Sequence, residues 1–249
     1  MADERDGTGG APSAEPRRTV YCEDALAWLE ARPVLEGCSA IASLPDVSEF
    51  PSLTLAEWKA WFQRAAGLVI SRVPADGVAL FYQTDVKQDG VWVDKGYLVA
   101  RAAEEAGCEL LFHKVVCRRA PGTVTFGRPA YSHLLAFSKG VRVDMGKSTA
   151  DVLPDAGEVT WTRGMGVEAC LTACRFILEH TATRTVVDPF CGHGTVLAVA
   201  NALGLDAVGV ELSRKRARKA RNLRGEWTQG KLVLAGAGGT GAPEDSSGE

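Results

Sequence analysis

The chain has 249 residues, of which 46% are hydrophobic and 24% charged, with a net charge of −3. This is the composition of a globular protein with apolar side chains enough for a sizeable core. It excludes the wholly cationic surface with which histone-like proteins coat nucleic acid, and leaves local basic patches open. No stretch reaches the ~18 apolar residues of a membrane helix, and residues 1–18 lack the apolar centre of a secretory signal, so the cytoplasm, or the nucleus, is the expected location. The seven cysteines, at 22, 38, 108, 117, 170, 174 and 191, contain no C-x-x-C pair. An odd count of this kind predicts reduced thiols and no structural metal.

Residues 1–17 and 235–249 are rich in Gly, Ala, Pro, Ser and acids and predict disordered tails around one domain at 18–234. Within it, Thr19–Cys22 reads as a strand, Ala25–Leu29 as a helical turn and Cys38–Ser43 as a buried strand ending in Leu44-Pro45-Asp46. Thr54 and Glu57 have capping-box spacing. The helix they start carries Leu55, Trp58, Trp61, Phe62, Ala65, Leu68 and Val69 on one stripe, which assigns both tryptophans to core packing. Gly77–Tyr82 reads as a strand and Asp94–Ala106 as a helix stopped by Gly107. Glu109–Val116 and Ser132–Ser138 are strands with no crossover helix between them, so antiparallel pairing is expected. Val167, Leu171, Cys174 and Leu178 mark a further helix. Thr185–Asp188 is a strand, Thr195–Leu203 a helix closed by Gly204, Ala207–Glu211 a strand feeding a basic helix, and Lys231–Leu234 an edge-strand candidate. The alternation predicts an α/β, three-layer sandwich around a mostly parallel seven-stranded sheet with one antiparallel strand.

The most informative segment is Val187-Asp188-Pro189-Phe190-Cys191-Gly192-His193-Gly194-Thr195, a strand, a glycine turn and a helix start. Gly192 and Gly194 permit positive φ and close approach of a ligand, and the helix N-terminus offers unpaired N–H groups. Glu211 ends the next strand 23 residues after Asp188, where a carboxylate can accept both hydroxyls of a ribose. The pattern is a nucleoside pocket. Leu197 stands where the dinucleotide fingerprint has its third glycine, which ranks nicotinamide cofactors second.

Asp188-Pro189-Phe190-Cys191-Gly192-His193-Gly194-Thr195 resembles the D-P-F-x-G-x-G-T turn of the amino-methyltransferases, a branch of the class I S-adenosylmethionine-dependent enzymes. The resemblance implies that Asp188, Phe190, Gly192, Gly194 and Thr195 line the methionine part of the cofactor and that Glu211 holds its ribose. His193 departs from the small residue usual between the glycines. Tyr21–Leu26 resembles the G-D-A-L stretch of that family, whose acid, here Asp24, contacts the adenine amine. Ser43-Leu44-Pro45-Asp46 stands where the family carries S-P-P-Y, D-P-P-Y or N-P-P-Y. With the tetrad early and the glycine turn late, the chain resembles a circularly permuted, Rossmann-like N4-cytosine/N6-adenine methyltransferase over residues 19–224. Trp161–Gly166 takes the place of the segment before the cofactor helix.

The resemblance assigns the tetrad a task. An exocyclic amine is a poor nucleophile because its lone pair is delocalised into the ring. Two acceptors, here Ser43 Oγ and the Leu44 carbonyl, turn that lone pair toward the methyl group, and orientation alone is worth ~7–11 kcal/mol of barrier. No metal is implied. Leu44 in place of the first proline keeps the carbonyl. Asp46 in place of the aromatic removes the stacking face for a flipped base, leaving Phe50 or Tyr131 to hold it. Asp46 itself has two readings, as acceptor of a proton or hydrogen bond from the nucleophile or as cap of the turn.

Arg214, Lys215, Arg216, Arg218, Lys219, Arg221 and Arg224 place seven cations in eleven residues, either to guide a phosphate backbone or as a solvated helix face. Lys114, Arg118 and Arg119 with the loop Gly127–His133 are either a substrate rim or plain hairpin geometry. His113, His133 and His180 read as isolated polar residues, and Cys170 and Cys174 as buried. The expected activity is S-adenosyl-L-methionine-dependent N-methylation of a nucleic-acid base amine, RNA slightly ahead of DNA because no DNA-target domain is recognisable. The alternatives are a methyltransferase for protein or small-molecule amines and an inactive cofactor-binding partner subunit.

Overall fold

The computed structural model describes residues 15–161 and 163–236. The predicted tails therefore lie outside the described residues, apart from residues 15–17, 235 and 236. Arg17 N–H donates to Asp206 at 2.7 Å, and Ala235 pairs with Arg224.

Chain order begins with β1 (Arg18–Tyr21), α1 (Ala25–Glu30) and β2 (Cys38–Ala42). α2 (Leu55–Arg72) starts at the predicted box: Thr54 Oγ1 accepts the Glu57 N–H at 3.3 Å and the Glu57 carboxylate accepts the Thr54 N–H at 2.8 Å. After β3 (Ala79–Gln83) comes a hairpin not foreseen in the sequence, β4 (Val86–Gln88) and β5 (Val91–Val93). Its turn is Asp89-Gly90, with φ of 49° and 81°, the Asp-Gly pair that favours such turns. Then follow α3 (Lys95–Glu105), β6 (Glu109–Cys117), β7 (Tyr131–Ser138), β8 (Val152–Leu153), α4 (Val167–His180) and β9 (Thr185–Asp188). The chain closes with α5 (Thr195–Ala202), β10 (Asp206–Val210), α6 (Arg214–Asn222) and a hairpin of β11 (Arg224–Thr228) and β12 (Lys231–Ala235).

The main sheet has the order β1-β10-β9-β2-β3-β7-β6-β8. β7 is antiparallel to both β3 and β6, and every other pairing in that sheet is parallel. Two expectations are corrected: the sheet has eight strands, the two-residue β8 adding an edge, and β12 pairs with β11 in its own hairpin. Alternation along the strands divides the core into two layers. Ile41, Leu80 and Leu134 face α4 and α5, while Ala42, Phe81 and Leu135 face α2 and α3. Trp58 and Phe62 fill the second layer with no exposed surface. On α4 the buried stripe is Val167, Cys170, Leu171, Cys174 and Ile177, and Leu178 lies 39% exposed outside it. Among the described residues no helix is long and apolar enough to cross a membrane.

Arg18 ties the first strand to the last third of the chain. Its guanidinium donates to Asn201 Oδ1 at 2.7 Å, to the Ala220 carbonyl at 3.0 Å and to the carbonyls of Leu197 and Leu223. Burial pulls its pKa down to about 10. Arg18→Met leaves several partly buried acceptors without a donor, and we expect a loss of about 1.5–3 kcal/mol, read as a lower urea midpoint at unchanged m-value.

Candidate active site

Parallel strands deliver their carboxyl ends to one edge of the sheet, and ligands bind where the connections diverge there. Here β9 lies between β2 and β10, so the residues after these strands open into one cavity of about 300 Å³. The tetrad Ser43, Leu44, Pro45 and Asp46 forms one wall. Asp188, Phe190, Gly192, Thr195 and Glu211 form another, and Asp24, the N-cap of α1, lines it as well. Gly194 alone of the predicted set does not line it. With φ of 85°, Gly194 caps α5, and a Cβ there would come within 2.8 Å of the Ala220 backbone. Its glycine serves the turn and the packing of α6.

The glycine-turn wall is acidic and only partly satisfied. Asp188, 4% exposed, accepts the Phe190 N–H through one oxygen at 3.1 Å. Burial first, and then the charge of Glu211, push its carboxyl up to about 7. Glu211 takes the Ser213 N–H at 2.7 Å and two Arg216 nitrogens at 2.9 and 2.8 Å, all on Oε1. Its Oε2 has no hydrogen bond among the described residues. Gly192, at φ 53°, lies under Trp161, whose ring would be 3.3 Å from a Cβ placed there. Trp161 stacks on His193 at 5.2 Å. Asp24 Oδ1 accepts the Ala27 N–H at 2.9 Å and so caps α1 as well as lining the cavity. Two buried carboxylates with unengaged oxygens beside a helix N-terminus fit a ligand that brings both a cation and hydroxyl donors. S-adenosyl-L-methionine has both.

The tetrad wall is held by cations. Ser43 lines the cavity half-buried, and its hydroxyl has no partner among the described residues. Asp46 caps a single 3-10 turn, Val47–Glu49, through Oδ1 to Ser48, in a box with Glu49. Its Oδ2 accepts Lys95 Nζ at 2.7 Å and Arg128 at 3.1 Å. Desolvation raises the Asp46 carboxyl, but the two cations and the Ser48 N–H outweigh it and hold it below its ordinary value. Lys95 is 2% exposed, and burial lowers its ammonium against the pull of Asp46. With its oxygens occupied in this way, Asp46 is placed to fix the bend, which disagrees with the reading of it as acceptor for the nucleophile.

The DNA methylase family model, that of the N6/N4 methyltransferases, matches residues 173–222, from α4 through the glycine turn to the end of α6. A Thermus thermophilus protein described as a "Putative DNA Modification Methylase", solved with S-adenosyl-L-methionine, superposes with a TM-score of 0.63 at 18% identity, over 82% of this chain and 92% of that one. This chain carries the Rossmann-like fold of that methylase. The PvuII DNA methyltransferase, cytosine-N4-specific, superposes with a TM-score of 0.63 at 17% identity, over 82% of this chain and 85% of that one. M1.HpyAVI in its S-adenosyl-L-methionine complex gives 0.52 at 13% identity, over 82% and 97%. No curated protein matches the chain.

The cavity also contains residues that the sequence pattern places elsewhere. Trp61, assigned to the core, lines the cavity in a row with Phe50 at 4.4 Å and Phe190 at 6.3 Å. Tyr131 does not line it and packs instead on His133. Of the second basic set, Arg118 lines the cavity together with Arg128, whereas Lys114 is buried against the carbonyls of Thr149 and Ala150. On α6, Arg216 is engaged by Glu211 and Arg221 by the Val20 carbonyl, leaving Arg214, Lys215 and Arg218 on the outer face. The histidines are not all isolated. His113 Nε2 lies 2.8 Å from His133 Nδ1, and His133 Nε2 lies 3.0 Å from Asp85, whose other oxygen accepts the Lys95 N–H at 2.8 Å. Asp94 brings a further oxygen to this network. Gln83 and Lys95 drew no attention in the sequence, because one ends an apolar run and the other opens a helix.

Removing one partner of a buried ion pair costs more than removing both. Lys95→Met is therefore expected to destabilise the fold by about 3 kcal/mol. The double variant Asp46→Asn with Lys95→Met should recover most of that in chemical denaturation, and a double variant as unstable as the sum of the singles would contradict the pairing.

Proposed function

We propose that this protein transfers a methyl group from S-adenosyl-L-methionine to the exocyclic amine of a DNA base, N4 of cytosine or N6 of adenine. The observation that carries the reading is the shared cavity: the Ser43 hydroxyl, unpartnered among the described residues, and the half-engaged carboxylates of Asp188 and Glu211 line one space of about 300 Å³. The family description and the Thermus and PvuII proteins point to DNA methylation, and nothing in them supports RNA ahead of DNA. We infer also that the order is circularly permuted. The glycine-turn strand β9 comes ninth in the chain yet sits inside the sheet, next to the tetrad strand β2.

The bound cofactor supplies an electrophilic methyl group on a sulfonium. Glu211 Oε2 would take its ribose hydroxyls, Asp24 would hold its adenine, and Asp188 with the turn of Phe190, Gly192 and Thr195 would take its methionine end. Gly194 contributes backbone shape only. Ser43 Oγ and the Leu44 carbonyl accept the amine hydrogens, so that the lone pair leaves conjugation and points at the methyl carbon. Pro45 stiffens the bend, and Asp46, clamped by Lys95 and Arg128, holds its position. The proton leaves after nitrogen is alkylated. A cationic aromatic amine is strongly acidic, so water suffices as acceptor and Asp46 need not act as base.

Transfer of labelled methyl groups from the cofactor is expected into duplex DNA and not into RNA or protein. Ser43→Ala should lower kcat by about 10²-fold, the scale of a misplaced nucleophile, while the calorimetric Kd for the cofactor stays unchanged. Labelling of RNA alone would overturn the substrate, and cofactor binding without any turnover would favour the partner-subunit alternative.

The raised pKa of Asp188 sets a pH dependence. Without ligand the carboxyl is protonated below about 7. A bound ammonium favours the ionised form, so binding expels a proton. Cofactor affinity is then full above about pH 7 and falls by up to about tenfold per unit below it. Calorimetry between pH 5.5 and 8 should show this slope in the wild type and none in Asp188→Asn. The same substitution removes a buried charge, so the ligand-free variant should melt higher than the wild type at pH 8.

A further inference from the structure

Gln83 ends β3 one strand away from the tetrad. β2 and β3 run parallel with Ala42 opposite Phe81, so two residues farther on Gln83 comes level with Leu44. Phe81 shares its face of the sheet with Ala42 and Leu44, and alternation puts Gln83 on that face too. The Gln83 side chain lines the cavity, is 1% exposed, and its Nε2 has no hydrogen-bond partner among the described residues. A buried amide with an idle donor is costly, and native folds keep such groups where something else takes the bond. The other buried donors in that condition, the indole N–H groups of Trp28 and Trp58, do not line the cavity. The residues before Gln83, Val78 to Tyr82, are apolar and buried, so packing alone does not call for an amide at this place.

We propose that Gln83 reads the edge of the target base. Its Nε2–H donates to the ring nitrogen next to the exocyclic amine, N3 of cytosine or N1 of adenine, while Ser43 and Leu44 hold the amine itself. Cytosine and adenine both present an acceptor there. On the Watson–Crick edge guanine presents N1–H beside its amine and thymine N3–H between its carbonyls, so a donor aimed at that edge rejects them. The inference rests on the base-amine reading of this cavity, and it adds which edge of the base is bound and by which side chain.

The test uses random-sequence duplex DNA made with 3-deazacytosine or 1-deazaadenine in place of whichever base the wild type methylates. Each analogue keeps the amine and replaces the ring nitrogen by C–H. Wild-type kcat/KM should fall by about 10- to 100-fold on the analogue, the cost of leaving a buried donor unpaired. Gln83→Met should show the same loss on the natural base and treat base and analogue alike, with its cofactor Kd unchanged and its Tm no lower than that of the wild type. A wild type indifferent to the deaza base, or a Gln83→Met variant that still prefers the natural one, overturns the contact while leaving the DNA reading standing. No transfer to any natural DNA overturns that reading, and the contact with it.

Discussion

The site depends on the parallel seating of β9 between β2 and β10. Thr185 is level with Cys38 on one side and with Asp206 on the other, so three strands drawn from the two ends of the sequence finish at the same height. Ser43, Asp188 and Glu211 emerge together only because of that register. A one-residue slip would turn each of them to the opposite face. Two further features hold the arrangement. Gly209 on β10 leaves no room for a Cβ, which would lie 2.6 Å from Leu197 and 2.8 Å from Cys191 Sγ, and this lets the glycine turn and α5 press onto the sheet. Arg18 then binds β1 to a carbonyl within α5 and to carbonyls at the C-terminal end of α6.

Charge divides the cavity into two halves with different physics. Around the glycine turn, carboxylates outnumber the cation that meets them, Asp188 is forced toward neutrality by burial, and one oxygen of Glu211 stays unengaged. Around the tetrad, Asp46 and Glu49 are each met by arginine or lysine, with Arg118 in addition. A low local dielectric makes each imbalance stronger than it would be in water. The acidic half suits the cationic cofactor, and the basic half suits the approach of a polyanion such as the proposed DNA.

Sequence signals with short range translated well into structure. The D-P-F-x-G-x-G-T turn, the Thr54–Glu57 box and the helix closed by Gly204 each depend on neighbours within a few residues, and each stands where expected. What depended on pairing across the sheet was not legible. His113 and His133 look isolated at a separation of twenty residues, and only the β6–β7 register, with Val115 opposite His133, brings their rings together. Lys95 reaches Asp46 across 49 residues, and Gln83 acquires meaning only when β3 is laid beside β2. Trp61 misled for another reason. A stripe of apolar residues defines a face, but the end of that face runs past the core into the cavity wall. The Asp89-Gly90 hairpin, by contrast, carried a local signal in the turn pair itself.

The substituted tetrad follows from how this cavity divides its labour. An aromatic after the proline would both stack on a base and fill the space beneath the bend. Here the second task falls to the Asp46–Lys95 pair, packed 5.7 Å from the Trp58 ring and locked further by Arg128. The first is open to Phe50, Trp61 and Phe190, a row supplied by α2 and by the two turns. A platform built from three elements is larger than a single ring but less fixed in plane, since stacking tolerates sliding. The proposed hydrogen bond from Gln83 at the base edge would supply the in-plane constraint that stacking lacks. For the proposed reaction, ionic clamp, aromatic row and buried amide together would hold an amine still while its lone pair is turned toward a methyl group.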